Sequence, residues 1–468
     1  MAGASTDPAS RAMSGDGRGR ARVPAAAGAR PPGADAPLDA WLGWIDAVHP
    51  SEMELGLARV SRVARRLGLA RPEMPVVIVG GTNGKGSTVA MLEAIWSAAG
   101  YRTGAATSPH VVRFAERMRV AGEEAGERAI VRALARVERG RLPADGGPAD
   151  TLTYFEFATL ASMALFVEAG CDVAIMEVGL GGRLDAVNLW DADCAVLTSI
   201  ALDHADWLGT DVAVIATEKA AIGRAGRPLI VGEPTPPASL GAFAAAHGIE
   251  IVDVGGRPPD ALPGTSLPGA HQRRNAGCAL AAVRALDARL PVAGDVARAA
   301  LERVALVARF EERRVDGTPL IVDVAHNPAA AAALADAWRA RFGATRAVAV
   351  FASLADKDIE GIARNLAPHV ECWCCAALEG PRALSLETLV TRVRAGLDEA
   401  AGVADGSGEA SERPGASASL HAGARVVAAG SVADALATAL ELASETARAV
   451  LVFGSFVTVT AAHAALEG

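Results

Sequence analysis

The chain has 468 residues, a length that usually corresponds to two or three domains. Hydrophobic residues make up 51% of it and charged residues 21%, so the chain can bury a large core and is not globally disordered. Its formal net charge of -9 excludes the broad basic surface that general nucleic-acid binders and binders of anionic membranes need. A local basic pocket for a small anion is still compatible with that charge.

The N-terminus and the longer apolar runs carry no signal for secretion or membrane insertion. No run reaches about 18 consecutive apolar residues, the length that spans a bilayer, and the first residues lack the apolar core of a signal peptide. We predict a disordered tail over residues 1–37; the alternative, an organelle transit peptide, is disfavoured by Asp7, Asp16 and Asp35. Six cysteines are too few for a disulfide scaffold. We therefore expect a cytoplasmic monomer that binds neither membranes nor nucleic acid.

Short β-branched runs alternate with longer segments of helical apolar spacing along most of the chain. Strands are predicted at residues 76–79, 173–178, 194–199, 228–231, 249–254, 319–324, 347–351, 370–375 and 449–453. This alternation predicts an α/β fold in which helices cover both faces of mainly parallel sheets. Two domains, over residues 38–306 and 307–468, are favoured over a single sheet of nine or more strands. The Gly-, Ala-, Ser- and Glu-rich residues 400–419 are predicted to be a flexible insertion in the second domain.

The strongest local signal is a glycine-rich turn between the first of these strands and a helix. Residues 81–87 have the sequence Gly-Thr-Asn-Gly-Lys-Gly-Ser, and the glycines at positions 81, 84 and 86 allow the backbone to wrap closely around phosphates. Lys85 places a cation on the phosphate oxygens. The strict phosphate-loop pattern is not met, because Gly86 separates Lys85 from Ser87. The alternative is an ordinary strand–helix turn with an exposed lysine.

This loop and six further segments resemble the folylpolyglutamate synthases, relatives of the Mur ligases, and are most similar to the bifunctional dihydrofolate synthase/folylpolyglutamate synthases of bacteria. The segments occur in the family's order at residues 81–87, 107–110, 154–157, 177–185, 202–209, 218–219 and 323–328. The resemblance runs from about Leu38 to the C-terminus, interrupted by residues 400–419. It implies a Mur ligase-like N-terminal domain of the P-loop ATPase type with a mainly parallel sheet, and a smaller, Rossmann-like C-terminal domain.

Two polar residues follow predicted strands and are candidates for a metal site. Glu177 lies at the end of the strand at 173–178, and His204 follows the strand at 194–199 with Asp203 beside it. Both are therefore expected at the carboxyl edge of a sheet, where open α/β sheets bind ligands. The resemblance implies that Ser108, Glu177 and His204 are magnesium ligands, and that Lys219 reacts with CO₂ to form a carbamate that holds a second Mg²⁺. Each residue taken alone could instead be an ordinary surface or loop residue.

The second domain contributes a carboxylate and an imidazole at a strand end, Asp323 and His326. The resemblance implies that both face the nucleotide together with Arg309, which could otherwise be a linker arginine. Ala308 stands where the family usually has a glycine before this arginine. The residues that the resemblance assigns to ATP are Thr82, Asn83, Gly84, Lys85, Gly86, Ser87, Asn275, Arg309 and Asp323. The residues it assigns to catalysis are Lys85, His204, Lys219 and His326.

The resemblance also implies the substrates. A pterin or folate would lie against Glu54, Leu55, Gly56, Leu57, Thr153, Tyr154, Phe155, Glu156, Leu184, Asp185 and Ala186. The expected activity is an ATP-dependent amide ligase that adds L-glutamate to dihydropteroate and to reduced folates through an acyl phosphate, with two Mg²⁺ ions. One alternative is a Mur-type ligase acting on a nucleotide-sugar substrate. The other is a P-loop regulatory nucleotide hydrolase, which would not need the segment that contains Asp323 and His326.

Overall fold

The structure, a computed structural model, describes residues 30–51, 53–405 and 424–467, with residues 259 and 403–405 described by their backbone only. Residues 1–29 of the predicted tail and residues 406–419 of the predicted insertion lie outside this range. Residues 400–405 are helical, and the predicted insertion at 400–419 stays a prediction. The helix continues there because Ala400 is still buried on its inner face.

The chain forms two compact units that are not continuous in sequence. The first comprises residues up to Ser108, Arg117–Arg257 and Cys278–Ala297. The second comprises Pro109–Glu116, Pro258–Gly277 and the residues from Arg298 onward. The division at residue 306 stays a prediction, whereas the expected α/β architecture with two sheets is confirmed.

The sheet of the first unit contains eight strands in the order β4-β3-β2-β5-β1-β6-β7-β8. The strands are β1 (Val76–Gly80), β2 (Thr103–Ala106), β3 (Met118–Val120), β4 (Glu123–Glu124), β5 (Val173–Glu177), β6 (Cys194–Leu197), β7 (Pro228–Val231) and β8 (Glu250–Asp253). At one edge, β3 pairs antiparallel with both β2 and β4, and the other neighbouring strands pair parallel. Strands β1 and β5 are buried along their whole length, which explains their unbroken apolar sequences.

Helices pack around this sheet and connect its strands. They are α1 (Leu38–Ala47), α2 (Ala58–Arg66), α3 (Lys85–Ala98), α4 (Glu127–Arg141), α5 (Tyr154–Glu168), α6 (Ala205–Leu208), α7 (Val212–Ala220) and α8 (Ala238–Ala246). Two further helices, α9 (Ala270–Ala285) and α10 (Gly294–Leu301), include residues of both units. Within the residues that the structure describes, no helix has both the length and the apolar character that crossing a membrane requires.

The second unit has a six-stranded sheet in the order β13-β12-β11-β14-β10-β9. Its strands are β9 (Glu311–Val315), β10 (Thr318–Val322), β11 (Ala347–Phe351), β12 (Val370–Ala376), β13 (Arg425–Ala429) and β14 (Val450–Phe453). Its helices are α11 (Pro328–Phe342), α12 (Ile359–Leu366), α13 (Leu386–Asp405), α14 (Val432–Thr446) and α15 (Phe456–Glu467). Helices α11 to α13 cover one face and α14 and α15 the other, so alternate residues of β11 enter two separate cores.

Candidate active site

The glycine-rich loop lies between β1 and α3, as the sequence predicts. Gly81 and Gly84 both have a positive φ, and Gly84 immediately precedes the first residue of α3, Lys85. A Cβ on Gly81 would lie 2.0 Å from the Thr198 hydroxyl oxygen, so no other residue fits at this position. The loop therefore exposes backbone N–H groups at a helix N-terminus, an arrangement that binds phosphates.

Two hydroxyl side chains after β6, Thr198 and Ser199, hold this loop in place. The Thr198 hydroxyl lies within hydrogen-bonding distance of the carbonyl oxygens of Gly80 and Asn83, at 3.1 and 2.7 Å. The Ser199 hydroxyl oxygen accepts from the Asn83 N–H at 2.9 Å. Neither residue was predicted to belong to the site, although a Thr-Ser pair at the end of a buried strand is a signal that the sequence contains. They become neighbours of the loop because β6 pairs with β1.

Lys85 and Lys219 approach the same backbone oxygen. The Lys85 ammonium donates to the carbonyl oxygens of Gly81 and Thr82 at 3.0 Å each, so it folds back over the loop. Lys219, on α7, is only 4% exposed, and its Nζ lies 3.3 Å from the Gly81 oxygen. Burial, followed by the charge of Lys85, lowers the pKa of Lys219 to about 7. Lys219 is thus not the solvated helix lysine of the alternative interpretation.

Glu177 is the last residue of β5, which pairs with β1. The Cα of Glu177 lies opposite the Cα of Val79, two residues before the glycine-rich loop begins at Gly81. Its Oε2 accepts a hydrogen bond from the Ser108 N–H at 2.9 Å, and this brings two of the predicted metal ligands together. Both side chains offer hard oxygen donors, the chemistry that Mg²⁺ selects. Within the described ranges, no group of three or more His, Cys, Asp or Glu side chains could hold a metal ion.

His204 immediately precedes the short helix α6 and has a left-handed conformation, with a φ of 53°. Its N–H donates to the Asp203 carboxylate at 2.8 Å, while its ring Nε2 lies 4.0 Å from the same carboxylate. A non-glycine residue is rarely found in this region of φ, and such conformations concentrate at functional sites. The conformation therefore supports a functional role for this histidine.

The glycine-rich segment after β5 packs directly on α7. A Cβ on Gly182 would lie 2.7 Å from the Glu218 carbonyl oxygen and 3.0 Å from the Lys219 Cα. The carboxylate of Asp185, only 3% exposed, accepts from the backbone N–H groups of Gly179, Leu180 and Val187. Burial raises the pKa of Asp185 to about 6, and the three N–H donors oppose this rise. Asp185 therefore orders the loop that positions Lys219.

The three predicted substrate segments meet in the first unit. The Gly56 N–H donates to the Leu184 carbonyl oxygen at 3.3 Å. Arg59 forms ion pairs with both Glu54 and Glu156, the second at 3.0 Å. Arg59 was missed by the sequence analysis, because nothing in the sequence shows that α2 lies beside the start of α5.

The residues of the segment at 153–156 differ in the groups they can offer to a substrate. Thr153 and Glu156 hydrogen-bond to each other's backbone N–H in a capping box at the start of α5, so part of their polar capacity is used. The Phe155 ring covers Gly179, whose Cβ would lie 2.7 Å from the ring. In the segments at 54–57 and 184–186, Leu55, Leu57 and Leu184 are half-buried and Ala186 is buried.

In the second unit, Asp323 follows β10 and accepts from the N–H groups of Phe310 and Ala325 at 2.8 Å each. Desolvation raises the pKa of Asp323, and the charge of Arg309 opposes the rise. The Arg309 guanidinium lies 5.5 Å from the centre of the Phe456 ring, within the range of a cation–π interaction. The unit therefore places the Arg309 guanidinium close enough to Asp323 for its charge to act on that carboxylate.

Two other predicted residues also lie in the second unit. The His326 Nδ1 lies 2.9 Å from the Val324 carbonyl oxygen, which orients the ring at the end of β10. Asn275, on α9, is buried and donates to the Gln272 side-chain oxygen at 3.0 Å.

Both units contain residues that match protein families of known function. Residues 79–228 match the Mur ligase middle domain, and residues 308–456 match the glutamate ligase domain of Mur ligases. The dihydrofolate synthase/folylpolyglutamate synthase of Escherichia coli K12 is 44% identical over 77% of this chain and 86% of that protein. The Haemophilus influenzae protein of the same name is 34% identical over 93% of this chain and 98% of its own length.

Solved structures agree with these sequence matches. E. coli FolC in complex with DHPP and ADP is similar with a TM-score of 0.79 and 38% identity, over 93% of this chain and 99% of that one. A bifunctional folylpolyglutamate synthase/dihydrofolate synthase with Mn, AMPPNP and L-glutamate bound has a TM-score of 0.75 and 36% identity, over 94% and 100% of the two chains. The similarity therefore extends over both units.

Proposed function

The chain belongs to the dihydrofolate synthase/folylpolyglutamate synthase family of the Mur ligase superfamily, and from this membership we propose how its residues act. It is an ATP-dependent ligase that adds L-glutamate to dihydropteroate, forming dihydrofolate, and to reduced folates, lengthening their glutamate tail. The observation that carries this function is the phosphate loop with Lys85, next to the buried Lys219, in a chain 44% identical to such an enzyme.

The reaction has two steps that balance without an external oxidant or reductant. A carboxylate oxygen of the pteroate or folate attacks the γ-phosphorus of ATP, and ADP leaves as an acyl phosphate forms. The amine nitrogen of glutamate then attacks the acyl carbon, inorganic phosphate leaves and the nitrogen loses a proton. The backbone N–H groups of residues 81–87 and the Lys85 ammonium bind phosphate oxygens and stabilise the charge that shifts among them.

Ser108 and Glu177 are the residues that would hold a divalent metal ion beside the phosphate loop. Their oxygen donors fit such an ion, and the hydrogen bond between them already brings the two residues together. A relative binds Mn together with AMPPNP, which supports nucleotide and divalent-metal binding in this chain. When bound, such an ion neutralises phosphate charge. His204 and the carbamate of Lys219 would hold a second ion.

The carbamate proposal for Lys219 is supported by its surroundings. Two ammonium groups that donate to the same Gly81 oxygen repel each other, whereas a carbamate at Lys219 would attract Lys85. Carbamate formation requires an unprotonated amine, because the nitrogen lone pair attacks the carbon of CO₂ and an N–H proton is then lost. Burial lowers the pKa of Lys219 to about 7, so a substantial fraction of this amine is neutral near neutral pH.

The pterin lies, in this proposal, against the three segments that meet around Arg59. By pairing with both Glu54 and Glu156, Arg59 fixes the loop before α2 relative to the start of α5. The half-buried leucines Leu55, Leu57 and Leu184 offer apolar surface to a flat ring. The relative in complex with DHPP and ADP supports a pteridine ligand for this family member.

One product assay tests the function. The full-length protein is incubated with ATP, Mg²⁺ and L-glutamate together with either dihydropteroate or tetrahydrofolate, and the products are identified by mass. We expect one glutamate to be added to dihydropteroate and at least one to tetrahydrofolate. Steady ATP hydrolysis without glutamate would point to a regulatory hydrolase, and ligation of a nucleotide-sugar substrate alone would point to a Mur-type ligase.

Glu177→Gln is expected to lower turnover about 100-fold or more, because the amide keeps the shape and removes the charge that holds the metal ion. The measurement is the steady-state rate as a function of Mg²⁺ concentration. Glu168→Gln is the matched control, since this glutamate lies at the surface end of α5, paired with Arg132. Retained activity with an unchanged Mg²⁺ optimum would contradict the role of Glu177.

A further inference from the structure

Arg309 lies between two residues in an unusual backbone conformation. Ala308 has a φ of 59° and Phe310 a φ of 50°, and neither is a glycine. The left-handed region is unfavourable for residues with a Cβ, so two such residues flanking one arginine require other contacts to hold them. Ala308 has no exposed surface and Phe310 is 5% exposed, so this turn, residues 308–310, is packed inside the unit.

Three hydrogen bonds to backbone groups of the turn hold it in place. The Ala308 N–H donates to Glu311 Oε2 at 2.8 Å, and the Phe310 N–H donates to Asp323 Oδ2 at 2.8 Å. The Ala308 carbonyl oxygen accepts from the Val324 N–H at 3.2 Å. Asp323 is a residue of the candidate active site, whereas Glu311 has no role in the proposed reaction. Its carboxylate closes the turn from the start of β9.

Helix α15 supports the turn from the other side. Phe456 and His463 are seven residues apart and therefore share one face of this helix. The Phe456 ring lies beside the Arg309 guanidinium, and His463 Nε2 lies 3.4 Å from Glu311 Oε2. His463 is 2% exposed, and its buried Nε2 makes no hydrogen bond of good geometry within the described part of the chain. The Glu311 carboxylate is thus its one ion-pair neighbour among the described residues.

We propose that Glu311 and His463 are positioning residues that hold residues 308–310 in the left-handed conformation and thereby fix the direction of Arg309. The inference rests on the proposed function and on the role that the resemblance implies for Arg309, which is to face the nucleotide. His463 holds the Glu311 carboxylate, the carboxylate holds the Ala308 N–H, and the turn holds the guanidinium beside Phe456. Arg313 Nε donates to the other carboxylate oxygen at 2.5 Å and leaves Oε2 directed at the turn.

Glu311→Ala tests the first contact in the full-length enzyme. We expect the KM for ATP to rise about tenfold, the size of the left-handed penalty that the turn would no longer offset. Glu312→Ala is the matched control on the same strand, because Glu312 pairs with Arg341 at the surface. Adding Ala308→Gly to Glu311→Ala should bring the KM back to within about threefold of wild type, since glycine adopts this conformation freely. No rise in KM, or a double variant no better than Glu311→Ala, would overturn the proposal.

Two substitutions test His463. His463→Ala is expected to raise the KM for ATP about threefold, because the Glu311 carboxylate loses its buried neighbour. His463→Gln keeps an N–H group near the position of Nε2 and should lie closer to wild type. Equal effects of both substitutions on KM would show that the ring only fills space, against a positioning role.

Thermal unfolding separates failure of this proposal from failure of the proposed function. If Glu311 holds a strained turn, Ala308→Gly should raise the unfolding midpoint by about 2–4 °C in the wild type and by less in Glu311→Ala, where the turn has relaxed. Equal shifts in both backgrounds would overturn the proposal. An Arg309→Ala variant with an unchanged KM for ATP would instead contradict the placement of Arg309 at the nucleotide, and the comparison of midpoints would still decide whether Glu311 holds the turn.

Discussion

Lys85→Ala is expected to abolish ligation, with turnover falling about 1,000-fold or more while the protein stays folded. The ammonium group donates to the carbonyl oxygens of Gly81 and Thr82 at the tip of a flexible side chain, so its loss removes charge stabilisation at the phosphates and little packing. The measurement is the rate of product formation at saturating ATP, with the thermal unfolding midpoint recorded alongside.

Arg132→Ala is the control for removing one cation, because Arg132 is 57% exposed and pairs with Glu168 at the surface. It should leave both the rate and the midpoint near wild type. Near-normal ligation by Lys85→Ala at saturating ATP would contradict the assignment of residues 81–87 as the phosphate loop.

Lys219→Arg is expected to be as inactive as Lys219→Ala, even though arginine keeps the positive charge. Arginine cannot form the carbamate whose oxygens would hold a metal ion, and its guanidinium stays protonated in a buried position next to Lys85. ATP binding should survive in both variants, since the phosphate loop is unchanged. The measurements are the ligation rate and the affinity for ATP.

Two further measurements keep the carbamate testable if a bulkier side chain disturbs the fold. A short carboxylic acid added to Lys219→Ala should restore part of the activity by supplying the missing oxygens. Carbon-13 NMR of the wild type with labelled bicarbonate should show a carbamate signal that Lys219→Ala lacks. The chain has only three lysines, Lys85, Lys219 and Lys357, so the signal can be assigned by substitution. Wild-type activity in Lys219→Arg would show that a cation suffices and that the carbamate is wrong.

The strands that the sequence predicted are those with consecutive β-branched or apolar residues, such as β1 and β5. It missed β2, whose sequence Thr-Gly-Ala-Ala carries no strand signal. This strand exists because Gly104 lies under the Phe166 ring of α5, where an added Cβ would come within 2.4 Å of the ring. It also missed β9, a charged strand at the sheet edge with alternating exposure. Both strands form because of contacts with residues distant in the chain, although their own residues have little preference for strand conformation.

The chemistry-bearing residues were identifiable from sequence because they lie in short continuous segments next to strand ends: the phosphate loop, Glu177, the lysine of α7 and Asp323. Parallel strands deliver their carboxyl ends to one edge, so chain order alone indicated which segments share a sheet edge. The sequence by itself thus determined the family, the α/β architecture and the residue types of the site. The tertiary structure alone decided which residues hold them: Thr198 behind the loop, Arg59 between the substrate segments, and Glu311 with His463 around the turn that carries Arg309. Thr198, Arg59 and His463 each contact a residue distant in the chain. These partners are chosen by packing and hydrogen-bond geometry, which leave no periodic or local pattern in the sequence.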